Sequence, residues 1–140
     1  MGKCFRSRDQ WFQTPLGQRL LAAEVSTLQQ ILPQLFGYHL LQISAIGNGQ
    51  LLESSRITHR CILTHSPDYP LHHYYSHVCA LAEILPFSQD SLDVVILPHI
   101  LEFEDNPHKV LREIQRILIP EGHVVLLGFN PFSLWGIYHL

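Results

Sequence analysis

Two strand-length apolar runs, Leu92–Leu97 and Val124–Phe129, bracket a helical pattern that opens at Asn106-Pro107. That pattern puts Val110, Leu111, Ile114, Ile117 and Leu118 on one face and Lys109, Arg112, Glu113 and Arg116 on the other. A continuous apolar strand is buried on both faces, and a helix between two such strands is the crossover of a parallel pair. The unit therefore demands an α/β sheet. Three further strands complete it: Tyr38–Ile43, Arg60–Thr64 and Val78–Leu81. Before them, Thr14 caps a helix with Pro15 at its first position, and Leu21, Val25, Leu28, Leu32 and Leu35 share one face. Pro33 ends that helix near Leu32. Leu51–Arg56 reads as a short helix, Ser66–Ser76, with two prolines, as a loop, and Pro120-Glu121-Gly122 as a turn.

The 140 residues suffice for one domain, and 46% hydrophobic against 15% charged residues supports a real core. A net charge of −3 argues against a general nucleic-acid binder. Every apolar run is broken well short of the ~18 residues a membrane span needs. Cys4, Cys61 and Cys79 are odd in number and form no CxxC pair, which disfavours a disulfide framework or zinc knuckle and points to a reducing, cytoplasmic setting. Residues 1–13 read as a solvated N-terminal tail without a signal-peptide core.

Several loops carry residues with chemical potential, each open to a plainer reading. Gly47-Asn48-Gly49 suits a ligand-cradling loop, and equally an ordinary turn. His65, His72, His73 and His77 cluster locally, but without HExxH or a Cys partner the expectation is surface histidines and no metal. His99 and Glu102 follow the fourth strand and suit either acid–base chemistry or a capping and packing pair. Asp93 is expected to orient backbone groups of the sheet. Tyr69, Tyr74, Tyr75, Phe132 and Trp135 suit an aromatic mouth or loop packing.

An ordered series of motifs adds a resemblance. Leu85-Pro86-Phe87, Asp90-Ser91-Leu92-Asp93-Val94-Val95, His99-Ile100-Leu101-Glu102-Phe103 and Asn106-Pro107 occur in that order, and the run from Leu111 through Glu113, Arg116 and Pro120-Glu121-Gly122 to Val125 follows. This series resembles the type 11 group of class I methyltransferases, which use S-adenosylmethionine (SAM). Phe129–Gly136 resembles the tail of an uncharacterised bacterial subgroup. The resemblance is close over Leu85–Gly136 and looser back to Tyr38.

It implies a Rossmann-like fold with sheet order 3-2-1-4-5 and a cofactor over the loop after the first strand. The family carries an acid on that strand and then G-x-G-x-G; here Gln42 stands for the acid, Ser44 and Ile46 for the first two glycines, and Gly47 and Gly49 lie just beyond. The ribose would lie near His65, and the adenine near Ala82, Glu83 and Leu85, with His99 at the pocket mouth. The acceptor of the methyl group is not named by any motif, and a catalytically silent relative or a truncated remnant is the alternative expectation.

The resemblance also implies a further helix and two more strands, so residues 14–140 are expected to form a partial domain lacking the last two strands. Val124–Phe129 would then be an apolar edge through which the chain either self-associates or is only marginally stable, unless Asn130–Leu140 folds back to cover it.

Overall fold

The structure, a computed structural model, describes residues 8–65, 75–128 and 136–139. The His72-His73 pair and the aromatic residues Tyr69, Tyr74, Phe132 and Trp135 lie outside the described residues. Helix α1 spans Pro15–Ile31. Strands β1 (His39–Ile43), β2 (His59–Thr64), β3 (Ser76–Cys79) and β4 (Leu92–Pro98) follow, then helix α2 (Pro107–Ile117), β5 (Leu118–Gly128) and β6 (Gly136–His139). The sheet order is β3-β2-β1-β4-β5-β6. The first five strands are parallel, in the expected 3-2-1-4-5 order. Among the described residues no helix is long and apolar enough to cross a membrane.

Both helix starts follow from their caps. The side chains of Thr14 and Asn106 accept hydrogen bonds from the N–H groups of Gly17 and Lys109, and a proline opens each helix. The strands then sort their side chains by the two-residue period of the pleat. Leu40, Val94 and Ile96 pack with Leu20, Leu21, Leu28 and Leu32 of the α1 side. Their neighbours Leu41, Ile43, Val95 and Leu97 pack with Val110, Ile114 and Ile117 of α2. Each such fully buried side chain contributes about 1.5–3 kcal/mol. Asp93 acts as expected, its Oδ2 accepting from the N–H groups of Tyr38 and His39 at 2.9 and 3.0 Å.

Four expectations need correction. β3 lies two residues earlier than Val78–Leu81, because Cys61–Thr64 of β2 pair with Ser76–Cys79 and the Ala80 N–H then bonds the Thr64 carbonyl. Pro120-Glu121-Gly122 is not a turn between elements. β5 begins at Leu118, and its register against β4 shifts between Leu92 and Val94 in a bulge that absorbs those residues.

Leu51–Arg56 is not a helix. The 3-10 turns run over Ile46–Leu52, interrupted by positive φ at Gly47, Asn48 and Gly49. Residues 8–13 are not a solvated tail, since Arg8 and Phe12 are each 3% exposed and Phe12 joins the α1-side core. The β5 edge is covered, as the fold-back alternative has it: Gly136–His139 pair antiparallel with Val125–Gly128 and satisfy backbone groups that β5 would otherwise present.

Candidate functional site

β1 is paired with β2 on one side and β4 on the other, so the chain leaves these two central strands in opposite directions across the sheet. Ligands of open α/β sheets bind outside the carboxyl ends of the strands at such a switch point. A cavity of about 240 Å³ lies there. Its walls come from the end of β1 (Ile43, Ser44), the end of β2 (Leu63, His65), the turn after β3 (Ala80 to Glu83), the loop after β4 (Ile100, Glu104) and, from the N-terminal segment, Arg8.

Ser44 is the residue at which β1 enters the cavity. Its φ of 115° is a backbone conformation suited to glycine, which fits its place at the first glycine of the family loop. It is 5% exposed, and its hydroxyl has no hydrogen-bond partner.

Gln42 does not face a ligand with its amide nitrogen. Nε2 donates to the carbonyls of Ser44 (2.6 Å) and Ile46 (3.0 Å), so the side chain staples the loop from inside. A carboxylate has no proton for either bond, which explains an amide where the family has an acid. Gly47 and Gly49 also miss the cavity wall. A side chain on Gly47 would meet Leu21 and Leu51, and one on Gly49 would meet the Tyr75 ring, whose hydroxyl donates to the Gly49 carbonyl at 3.2 Å. Their φ values of 83° and 92° make the left-handed turn, and Gly47 lines a separate cavity of about 280 Å³ with Asp9, Gln18 and Asn48.

His65, Ala82 and Glu83 line the cavity as the resemblance implies. Burial holds the His65 imidazole below its usual range, Asp9 opposing and Arg8 reinforcing that effect. Leu85 does not line it. It is buried in the α2-side core, and its N–H donates to Glu113 Oε2 at 2.7 Å. Arg116 completes this tie through the Leu85 and Phe87 carbonyls at 3.0 and 2.9 Å and through Glu113. The Glu113 carboxyl is held below its ordinary range, first by Arg116 and then by the Leu85 N–H. These two residues, read from sequence as part of a solvated helix face, clamp the turn ahead of β4.

His99 does not open onto the cavity. It is fully buried with φ 57°, and its ring lies 5.1 Å from that of Phe12. Nε2 meets Glu24 Oε1 at 2.5 Å and Nδ1 meets Glu102 Oε2 at 3.2 Å. Burial alone would lower its pKa, but the hydrogen bonds and charges of Glu102 and Glu24 raise it to about 9. The imidazole is therefore held toward its protonated form, and it ties the loop after β4 to α1.

Sequence reasoning missed three residues here. Glu24 is a buried acid on the apolar face of α1, a misfit that the helical pattern itself could have flagged. Arg8 donates to Asp9 and to the His99 carbonyl and forms a cavity wall. Glu104 also lines the cavity, and its Oε2 is buried without a hydrogen-bond partner. Among the described residues no group of three or more His, Cys, Asp or Glu is arranged to hold a metal ion.

A parallel 3-2-1-4-5 sheet with helices on both faces and a cavity at the β1/β4 switch point is the architecture of the class I, SAM-dependent methyltransferases. The comparisons agree. A family model described as a methyltransferase domain matches residues 52–126, just over half of the 140 residues, and the chain belongs to that family.

The uncharacterised protein YafS of Escherichia coli (strain K12) is 33% identical over 132 residues, covering 94% of this chain and 52% of YafS. The chain thus spans about half the length of that relative. A chain of the Haloferax volcanii complex containing the Trm112 methyltransferase activator superposes with a TM-score of 0.70 at 22% identity, over 91% of this chain and 58% of that one. Haemonchus contortus phosphoethanolamine N-methyltransferase 1, solved with phosphoethanolamine and S-adenosylhomocysteine, gives a TM-score of 0.62 at 18% identity, over 82% of this chain and 27% of that one.

Proposed function

We propose that the chain binds SAM in the switch-point cavity and serves transfer of its methyl group to an acceptor. The observation that carries this reading is the cavity itself, walled by the ends of β1 and β2 and the segments after β3 and β4, with Ser44 in a glycine-type conformation at its floor. Two of the four buried side-chain atoms without a hydrogen-bond partner among the described residues, Ser44 Oγ and Glu104 Oε2, lie on its wall and suit a hydroxyl and a cationic centre of such a ligand. At about 240 Å³ the cavity lies below the ~300–1,000 Å³ of typical ligand pockets, enough to bury one end of a SAM-sized molecule.

Bound there, the cofactor supplies an electrophilic methyl group on a sulfonium. The chain's part is positioning. Ser44 and Glu104 hold polar groups of the ligand, Ala82 and Ile100 cover its apolar surface, and His65 stands where the family's ribose-binding acid would be. Gln42 and the Glu24–His99–Glu102 clamp keep the two flanking loops in place without touching it.

A second reading, a ligand-binding relative without catalysis, is favoured by the His65 substitution and by the sealing of His99. Calorimetric titration of SAM decides whether either stands. Wild type is expected to bind, and Ala82→Trp, which fills the cavity, is expected to abolish the heat while melting as wild type does. Undiminished binding in that variant would place the site elsewhere.

A further inference from the structure

Among the described residues, two polar atoms of the cavity wall have no hydrogen-bond partner, Ser44 Oγ and Glu104 Oε2, and both are buried. They come from different strand ends and converge on one space. The charged wall around them is unbalanced. Among the described residues of the wall, Glu83 and Glu104 are two carboxylates against one guanidinium, that of Arg8, which already donates to Asp9 at 2.9 and 3.1 Å. His65, the remaining ionisable group of the wall, is held toward its neutral form, by burial above all. Glu104 feels the imbalance directly. Burial raises its pKa first, the charges of Glu83 and Asp105 raise it further, and Arg8 opposes them. A carboxylate in that setting gains from any cation brought beside it, and gains more in a site that excludes water.

We infer that Glu104, backed by Glu83, makes the cavity selective for a ligand carrying a positive centre, so that sulfonium-bearing SAM is held more tightly than the neutral thioether S-adenosylhomocysteine. This rests on the reading of the cavity as the SAM site. The two molecules share adenine, ribose and amino-acid groups and differ at sulfur by one methyl group and one positive charge. Contacts to the shared groups hold both alike, whereas attraction between the sulfonium and the acidic wall exists only before the methyl group has left. The wall therefore favours release of the product relative to the donor, which limits product inhibition.

The test is a set of calorimetric titrations near neutral pH with SAM, S-adenosylhomocysteine and sinefungin, an analogue that places an amine at the reacting position. Wild type is expected to bind SAM and sinefungin about tenfold more tightly than S-adenosylhomocysteine, as one charge-assisted contact allows. Glu104→Gln, of the same shape, is expected to bring all three within about threefold of one another by weakening the two cationic ligands. In wild type the preference should shrink as the pH falls, because protons compete with the cation for Glu104, and the variant should lack that dependence. The wild-type pH series needs no variant, so it stands even if Glu104→Gln melts early.

Equal weakening of all three ligands would mean that Glu104 reads a group they share, and would overturn the inference. So would a wild-type chain that binds all three alike. A wild-type chain that binds none of them overturns the cofactor reading itself.

Discussion

The loops after β1 and after β4 leave neighbouring parallel strands and meet at one cavity, yet they are built in opposite ways. Each contains a non-glycine residue in a positive-φ conformation, Ser44 at 115° and His99 at 57°. The β1 loop is closed by neutral hydrogen bonds, with Gln42 donating to two of its carbonyls and its glycines packed on Leu21, Leu51 and Tyr75. The β4 loop is closed by charge, with a protonated His99 between Glu24 and Glu102, and it leaves Glu104 turned to the cavity. The contrast separates holding a loop from reading a ligand. In both loops polar groups hold the backbone, Gln42 in the first and His99 in the second, and each loop also turns one unpartnered atom to the cavity, Ser44 Oγ and Glu104 Oε2.

The largest expected effect breaks the charged loop. His99→Ala takes from the buried Glu24 carboxylate the cation it is hydrogen-bonded to and should cost about 3–5 kcal/mol, measured by denaturant unfolding. A loss below about 1 kcal/mol would show that the clamp does not hold the loop. The same bond sets a pH dependence. The folded-state pKa of His99 is raised from 6.5 to about 9, so its stabilisation is fully present below the unfolded value and is lost as pH rises through about 9. The shift corresponds to roughly 3 kcal/mol, and a melting series from neutral pH upward should show the decline in wild type and not in His99→Ala.

Next in size is Gln42→Glu, which restores the family's acid. It sets a carboxyl group against two carbonyl oxygens and is expected to destabilise by about 2–4 kcal/mol, with less effect at low pH, where the acid is protonated and donates one bond. Unchanged stability would mean that the β1 loop does not depend on its staple. The smallest effect should come from Ser44→Gly. Relief of the strained φ is worth about 1–3 kcal/mol and is partly offset by glycine's chain entropy of about 0.5–1 kcal/mol, leaving a gain of about 1 kcal/mol in thermal melts.

Much of the site's frame was legible before any coordinates. The cavity does form at the ends of the strands named from sequence, and His65, Ala82, Glu83 and Ser44 line it. Direction is what the motif leaves open. Gln42, Leu85 and His99 turn into the packing, and Gly47 and Gly49 lie off this cavity, Gly47 on a neighbouring one. A motif states that a residue is near a strand end, and only the path of the loop states which way its side chain points. Arg8 and Glu24 escaped notice because they reach the site from the N-terminal segment and α1, far away in sequence.

The sequence by itself determined the layered sheet. Apolar runs at strand length, a capped amphipathic helix between two of them and the two-residue alternation of Leu40–Ile43 and Val94–Leu97 admit one arrangement, because such strands must be covered on both faces. The tertiary structure alone decided how the polar residues pair. Glu24 with His99 and Arg8 with the His99 carbonyl are contacts between residues 75 and 91 positions apart. Glu113 with the Leu85 N–H and β6 against β5 are likewise settled by folding. Local pattern reports the water-facing or core-facing preference of each residue. Hydrogen bonds and ion pairs act over about 3 Å, so their partners are chosen only once the sheet has brought distant segments together.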